Sequence, residues 1–209
     1  QGEGLHAIAC RIENAQQAKS ELAALGIQTG EVGKFSRPVE LPDGSKGVAA
    51  FETVSFAEGE VPQGMVFMCQ HKTRDTVWVP ELLKHANGAN GLAAIIAISA
   101  DPAKSAEGFA RLYADGKATE SSGEWTVSTG PNSADISVLT SAQAQKLYPD
   151  VDFSKTPSGA FAALRIRVSA LDTVRKVLDD NDLAYVNTSA GIAVLPENAN
   201  GTVLEFVEV

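Results

Sequence analysis

The stretch LAAIIAISADPAKSAEGFARLYADG, residues 92–116, passes from a strand through a cap into a helix. The unbroken apolar run at 92–98 reads as a buried strand. It is far too short to cross a bilayer, which takes about 20 apolar residues. Asp101 can accept hydrogen bonds from the amides of a first helical turn. Pro102 fits that turn because its missing N–H would have no partner there. Ala103, Ala106, Ala110 and Tyr113 then recur at helical spacing, and Gly116 supplies a left-handed terminator. Strands at 117–120, 124–128 and 135–140 are expected to follow, the last two joined by Gly130, Pro131 and Asn132.

The same order, strand, helix, three strands, occurs on either side. Upstream, 5–12 (LHAIACRI) reads as a strand, and Asn14 with Gln17 has the spacing of a capping box. Ala15, Ala18, Leu22 and Leu25 form the helical stripe, and Gly26 ends it. Strands are expected at 27–32, 47–56 and 65–70, with a turn at Pro42, Asp43 and Gly44. Downstream, 161–168 (FAALRIRV) reads as a strand and Ser169 with Asp172 as a cap. Leu171, Val174 and Leu178 make a stripe. Strands at 184–188, 191–195 and 203–207 complete the unit, with a tight turn at Asn200 and Gly201 before the last. Three repeats at about 4–71, 91–141 and 160–209 predict an α+β fold of repeated βαβββ units. Two regions are expected, 1–90 with the first unit and a crossover, and 91–209 with the other two (91–158 and 159–209). The segment 141–159 between the second and third units reads as a short helix and a linker.

Composition narrows the partners. The chain has 209 residues, 44% of them hydrophobic and 21% charged, enough for a packed core. A net charge of −9 repels phosphate backbones and argues against nucleic acid. No run is long enough for a membrane span. Cys10 and Cys69 lie in strand-like segments and read as buried thiols in a reducing compartment, with one disulfide as the alternative, so a cytoplasmic location is expected.

Chemically versatile residues gather at 64–92, which holds Cys69, His71, Trp78 and His85. The chain has no G-x-S-x-G elbow, Walker loop, C-x-x-C pair or H-E-x-x-H helix. Trp78, near Pro80, can wall a pocket and stack on a planar ligand, or anchor the crossover to the sheet. Arg37 in the extended FSRP segment can neutralise an anionic ligand through its guanidinium fork, or pair with an acid at the surface. Arg165 and Arg167 alternate with Leu164, Ile166 and Val168 and so share the face turned away from the helix. Cys69 and His71 share a strand face, but nothing in an apolar strand lowers the pKa of the thiol. A loop that gathered His71, Glu81 and His85 would be an unconventional route to a metal.

Three segments carry a family resemblance: FSRPVELPDG (35–44), CQHKTRDTVWVPELLKHANGANGL (69–92) and NGTVLEFVE (200–208). A strand ending in C-Q-H that leads into V-W-x-P-E and H-x-N-G resembles the uncharacterised glyoxalase-like branch of the vicinal-oxygen-chelate superfamily. That superfamily includes glyoxalases, bleomycin-resistance proteins and extradiol dioxygenases. The resemblance implies cupped mixed β-sheets with helices outside, made when two units pair edge to edge. The second and third units are then the natural pair. The first is expected to find its partner in a second copy, as a homodimer, or in a fourth unit upstream of Gln1.

Metal-binding members take a His or Gln from the first strand of each unit and a Glu from the last. Counting back from Asn14, Asp101 and Ala170 reaches Ala7, Ala94 and Ala163, none of which ligates a metal. Glu205 stands at the carboxylate position of the third unit. The equivalents are about Met68 in the first unit and near Val138 in the second. No cofactor is therefore expected. The alternative is a divalent ion (Zn, Ni, Mn or Fe) on Glu205, His71 or His85. The face bearing Arg165 and Arg167 would be the concave one, where they attract a carboxylate or pair with Glu205 and Glu124. The resemblance thus implies a metal-independent binder of a small anionic or aromatic molecule, with His71, Trp78, Glu81, His85, Arg37, Arg165, Arg167 and Glu205 as ligand-binding candidates. A metal-dependent lyase, isomerase or dioxygenase, and a structural module with a filled cup, are the alternatives.

Overall fold

Local signals set the start and end of each repeat in the computed structural model, which describes residues 3–156 and 159–208. Contacts divide the chain into two units, residues 7–84 and the remainder. In the first, β1 (Ala7–Ile12) leads into α1 (Ala15–Ala24), followed by β2 (Gly33–Glu40), β3 (Lys46–Ser55) and β4 (Met65–His71). The Asn14 side chain accepts the Gln17 amide at 2.9 Å, and Gly26 terminates the helix at φ +75°. The sheet order is β1-β4-β3-β2, with β1 parallel to β4 and the rest antiparallel. A parallel first-to-last pairing needs a crossover, and α1 is part of it.

The strand expected at 27–32 is instead β2, at Gly33–Glu40. The turn at Gly44 (φ +79°) sets Glu40 opposite Lys46, and pairing runs back from there to Gly33 opposite Thr53. Residues 27–32 keep only a single bridge, Thr29 to Phe56, while Ile27 is buried (3% exposed).

The second unit contains β5 (Ala89–Ile98), α2 (Pro102–Ala110), β6 (Lys117–Ser121), β7 (Glu124–Ser128), β8 (Asp135–Leu139), α3 (Ser141–Leu147), β9 (Ala163–Val168), α4 (Leu171–Asp180), β10 (Val186–Asn187), β11 (Gly191–Val194) and β12 (Val203–Glu208). These strands form one eight-stranded sheet in the order β10-β11-β12-β9-β5-β8-β7-β6. Two βαβββ repeats meet at its centre through antiparallel β5 and β9, with Ala94 opposite Arg165 and Ile96 opposite Ala163. In each repeat the first strand again runs parallel to the last.

One face of this sheet packs beneath helices, with Val174 and Leu178 of α4 against Val168, Ile192, Val194 and Phe206. The other face carries a second core, in which Tyr148 and Val151 pack on Ile96, Leu139, Ala163, Ala193 and Val203. A full capping box, Thr140 with Gln143, fixes the start of α3 and delivers that segment onto the sheet. The cap expected from Ser169 and Asp172 does not form, and the N-cap of α4 is Ala170. The Ser169 hydroxyl turns to the Gly88 carbonyl, and the Glu208 carboxylate accepts the Leu171 amide at 2.9 Å in its place. Among the described residues no helix is long and apolar enough to cross a membrane.

Candidate functional site

Strand alternation sorts the side chains of the first sheet into two faces. The α1 side holds Val54, Val66 and Met68, and Gln70, whose side chain accepts the Ala15 amide at 3.0 Å. The register then places Arg11, Phe35, Arg37, Ala49, Phe51, Cys69 and His71 together on the opposite, helix-free face.

The chain leaving β4 folds back over that face. The Thr73 hydroxyl accepts the Ala50 amide and the Thr76 hydroxyl donates to the Val48 carbonyl, both at 2.9 Å. A Cβ at Gly47 would stand 3.0 Å from the Thr76 methyl, so glycine gives this close approach its room. Val77 packs against Ala49, Phe51 and Cys69. This brings Trp78 onto His71, with Nε1–H donating to Nδ1 at 2.8 Å and ring centroids 5.8 Å apart. Phe51 meets His71 edge-on at 5.2 Å, and Phe35 stacks on Phe51 at 4.9 Å. Four rings, Trp78, His71, Phe51 and Phe35, thus form a continuous row. The Arg11 guanidinium lies 5.7 Å from the Trp78 ring centroid, within cation–π range.

The row remains partly open, with Trp78 43% and Phe35 52% exposed. Because Nδ1 of His71 accepts from Trp78, its ring proton sits on Nε2. Burial, followed by the charges of Arg74 and Arg11, holds the His71 pKa below its ordinary value of 6.5. The imidazole is therefore neutral at pH 7, with Nε2–H as a donor. Burial pushes the Cys69 thiol upward, so it is no nucleophile at neutral pH. Arg37 is exposed two residues from Phe35 on the same face. None of the strand positions on this face carries a carboxylate, whereas Glu40 and Glu52 lie on the helix side.

Glu81 and His85 are exposed, Glu81 within the 3₁₀ turn Pro80–Leu83. Among the described residues no three His, Cys, Asp or Glu side chains gather as a metal site.

The eight-stranded sheet presents a different arrangement on the face opposite α4. Glu205 is 1% exposed, and its Oε2 accepts Arg165 Nε at 2.5 Å and the Tyr148 hydroxyl at 2.7 Å. Its Oε1 accepts the Thr188 hydroxyl at 2.5 Å. Burial and the neighbouring Glu205 charge raise the Tyr148 pKa far above its usual 10, so the phenol stays a donor. Arg167 donates to Asn90 Oδ1 at 3.3 Å and lies over Gly91, and among the described residues it forms no ion pair with Glu124.

Expectation placed the second-unit counterpart of Glu205 near Val138 and the first-strand position of the third unit at Ala163. The register brings Asp135 and Ala94 level with Arg165 and Glu205 and keeps Ala163 on the same face opposite Ile96, while Val138 points to the helix side. The residues therefore do not fit a superfamily metal. Two of the four positions are a methyl group and a guanidinium, and the guanidinium is bonded to the one fully buried carboxylate. Arg11, Phe35, Phe51, Tyr148 and Thr188 escaped the sequence reading, since each is an ordinary strand, helix-end or turn residue until the register brings it into place.

Three βαβββ units with parallel first-to-last pairing, two of them joined through their first strands, define a protein of the vicinal-oxygen-chelate superfamily. Residues 1–113 match the family described as Glyoxalase-like domain, and the chain belongs to that family. No curated protein matches it. A hypothetical protein from Staphylococcus aureus is similar in fold at 8% identity and a TM-score of 0.63, over 98% of this chain and 66% of that one. The 2,3-dioxygenase LapB from Pseudomonas sp. KL28 is similar at 11% identity and a TM-score of 0.59, over 100% of this chain and 73% of that one. A xylose isomerase-like TIM barrel/4-hydroxyphenylpyruvate dioxygenase fusion protein follows at 11% identity and a TM-score of 0.52, with 38% of its length covered. The chain thus spans only part of each of these proteins.

Proposed function

We propose that this glyoxalase-like protein binds a small, planar, anionic molecule on the helix-free face of its first βαβββ unit, and does so without a metal. One observation carries the reading. In a chain of net charge −9, a row of four rings lies between Arg11 and Arg37 on a face whose strands bear no acid. Stacking on the open parts of Trp78 and Phe35 would hold an aromatic body, and an arginine fork would hold its carboxylate. The Nε2–H of His71 adds a neutral donor that costs no charge desolvation.

A homodimer within a reducing cytoplasm completes the proposal. β5 and β9, the first strands of their repeats, pair with each other, whereas β1, the first strand of its own, pairs only with β4 among the described residues. An unpaired edge of this kind invites a second copy. Light scattering is expected to give twice the chain mass, and a monomer mass would remove this part. For the eight-stranded sheet the filled face opposite α4 favours a structural role.

Titration with 2-naphthoate, followed by Trp78 fluorescence in a Trp125→Phe background, tests the binding face. Arg37→Gln is expected to weaken binding by about 10- to 100-fold, the worth of a charged hydrogen bond. Trp78→Ala, followed by calorimetry, is expected to weaken it similarly while the unit stays folded, with a melting-temperature loss of roughly 5 °C, which its hydrogen bond to His71 is worth. A fall far beyond that, or loss of the native fold, in Trp78→Ala would make the ring a structural anchor, and unchanged affinity in both variants would end the proposal.

A further inference from the structure

Four side chains stand abreast across the middle of the eight-stranded sheet: Asp135 on β8, Ala94 on β5, Arg165 on β9 and Glu205 on β12. Each is the register partner of the next, and all lie on the face opposite α4. Neighbouring strands hold such side chains with Cβ atoms about 5 Å apart. That is close enough for imidazoles and carboxylates from adjacent strands to converge on one divalent ion. Carboxylates occupy both ends of this row, but the two central positions are a methyl group and a guanidinium.

The charge of Glu205 is balanced by a side chain, as a cation would balance it. Both of its oxygens are engaged, by Arg165, Tyr148 and Thr188, and it is almost wholly buried. A buried carboxylate requires a counter-charge. Arg165 supplies one that is permanently protonated and cannot dissociate. Tyr148, bonded to the same carboxylate, carries the residues between the second and third repeats into the hydrophobic cluster with Val151, Ile96 and Val203.

We infer that Arg165 is a built-in counter-ion standing where this row would otherwise hold a divalent cation, and that the Arg165–Glu205–Tyr148 group locks the intervening segment onto the sheet. The row is an ion site converted into an internal latch. It is independent of the binding face proposed for the first unit, and neither claim depends on the other.

The test restores the missing ligands. Wild-type protein and the Ala94→His/Arg165→His variant are stripped with chelator. They are then titrated with Co²⁺, whose visible absorption reports ligation, and Zn²⁺ uptake is measured by elemental analysis. The double variant is expected to take up about one equivalent and to melt higher with Zn²⁺, because an ion bound only to the folded state stabilises it. Wild type is expected to show neither effect. An equivalent of ion on the wild type that is lost in Glu205→Gln would overturn the inference, as would a double variant with native circular dichroism that binds none. Should that variant not fold, Arg165→Met is compared with Arg165→Met/Glu205→Gln. The single variant, left with a buried unbalanced carboxylate, is expected to melt below the double, and one melting as high or higher overturns the inference.

Discussion

Acidification interrogates the ring row through one hydrogen bond. His71 Nδ1 accepts the Trp78 N–H at 2.8 Å, so a proton can reach Nδ1 only by breaking that bond and turning two donors toward each other. Burial and the Arg74 and Arg11 charges set the folded pKa below 6.5. As pH falls, the unfolded chain therefore takes up the proton first. Stability is whole above pH 6.5, declines as pH drops below it, and levels off beneath the folded value, where both states are charged. The net worth of the lost hydrogen bond is about 1 kcal/mol. Arg11 and Arg74 are exposed, so solvent screening keeps their repulsion to a few tenths of that. For a unit of this size the loss corresponds to roughly 5 °C in melting temperature. A Trp125→Phe variant leaves Trp78 as the sole tryptophan, since the chain has two. Its emission, titrated from about pH 8 to 5 across the His range, is expected to change with a midpoint below 6.5. In His71→Asn, an acceptor that does not titrate, the curve should be flat. A midpoint above 6.5, or one that persists in His71→Asn, would refute the reasoning.

Other perturbations follow from the packing. Tyr148→Phe removes one of the three donors on buried Glu205 and is expected to cost about 1–3 kcal/mol in urea unfolding. Gly191→Ala would drive a Cβ to 2.0 Å from the Phe206 carbonyl oxygen in the paired strand, so a loss of several kcal/mol or failure to fold is expected. Gly91→Ala meets only the tip of the Arg167 side chain, at 2.5 Å, and should cost under about 1 kcal/mol in the same melts. Phe109→Ala empties a fully buried position beside Phe161 and is expected to cost about 3–5 kcal/mol.

The repeat was legible because each unit announces itself locally. Asn14 and Asp101 cap their helices as their side chains and positions indicate, and alternation in FAALRIRV correctly turned Arg165 and Arg167 away from α4. What the sequence withheld was register, a non-local property. The residues at 27–32 look as strand-like as those at 33–40. Only the pairing of Glu40 with Lys46 across the turn decides between them. The same gap hid that Asp135, and not Val138, lies level with Glu205 on its face of the sheet. Trp78 drew attention by its rarity, but the other members of its row are scattered over β1, β2, β3 and β4 and share no local pattern. Tyr148 sits in a segment that reads as linker, and its role depends on a carboxylate far along the chain. In both units the chain leaving a repeat's last strand folds back over the sheet face opposite the repeat's own helix, a placement that hydrophobic periodicity does not encode.

The most direct measurement is a residue-resolved map of where an aromatic carboxylate binds. In heteronuclear NMR of the full chain titrated with 2-naphthoate, saturable shifts are expected at Phe35, Phe51, His71 and Trp78 and at the Arg11 and Arg37 side chains. Shifts confined to residues 85–208, or none at millimolar ligand, would contradict the account.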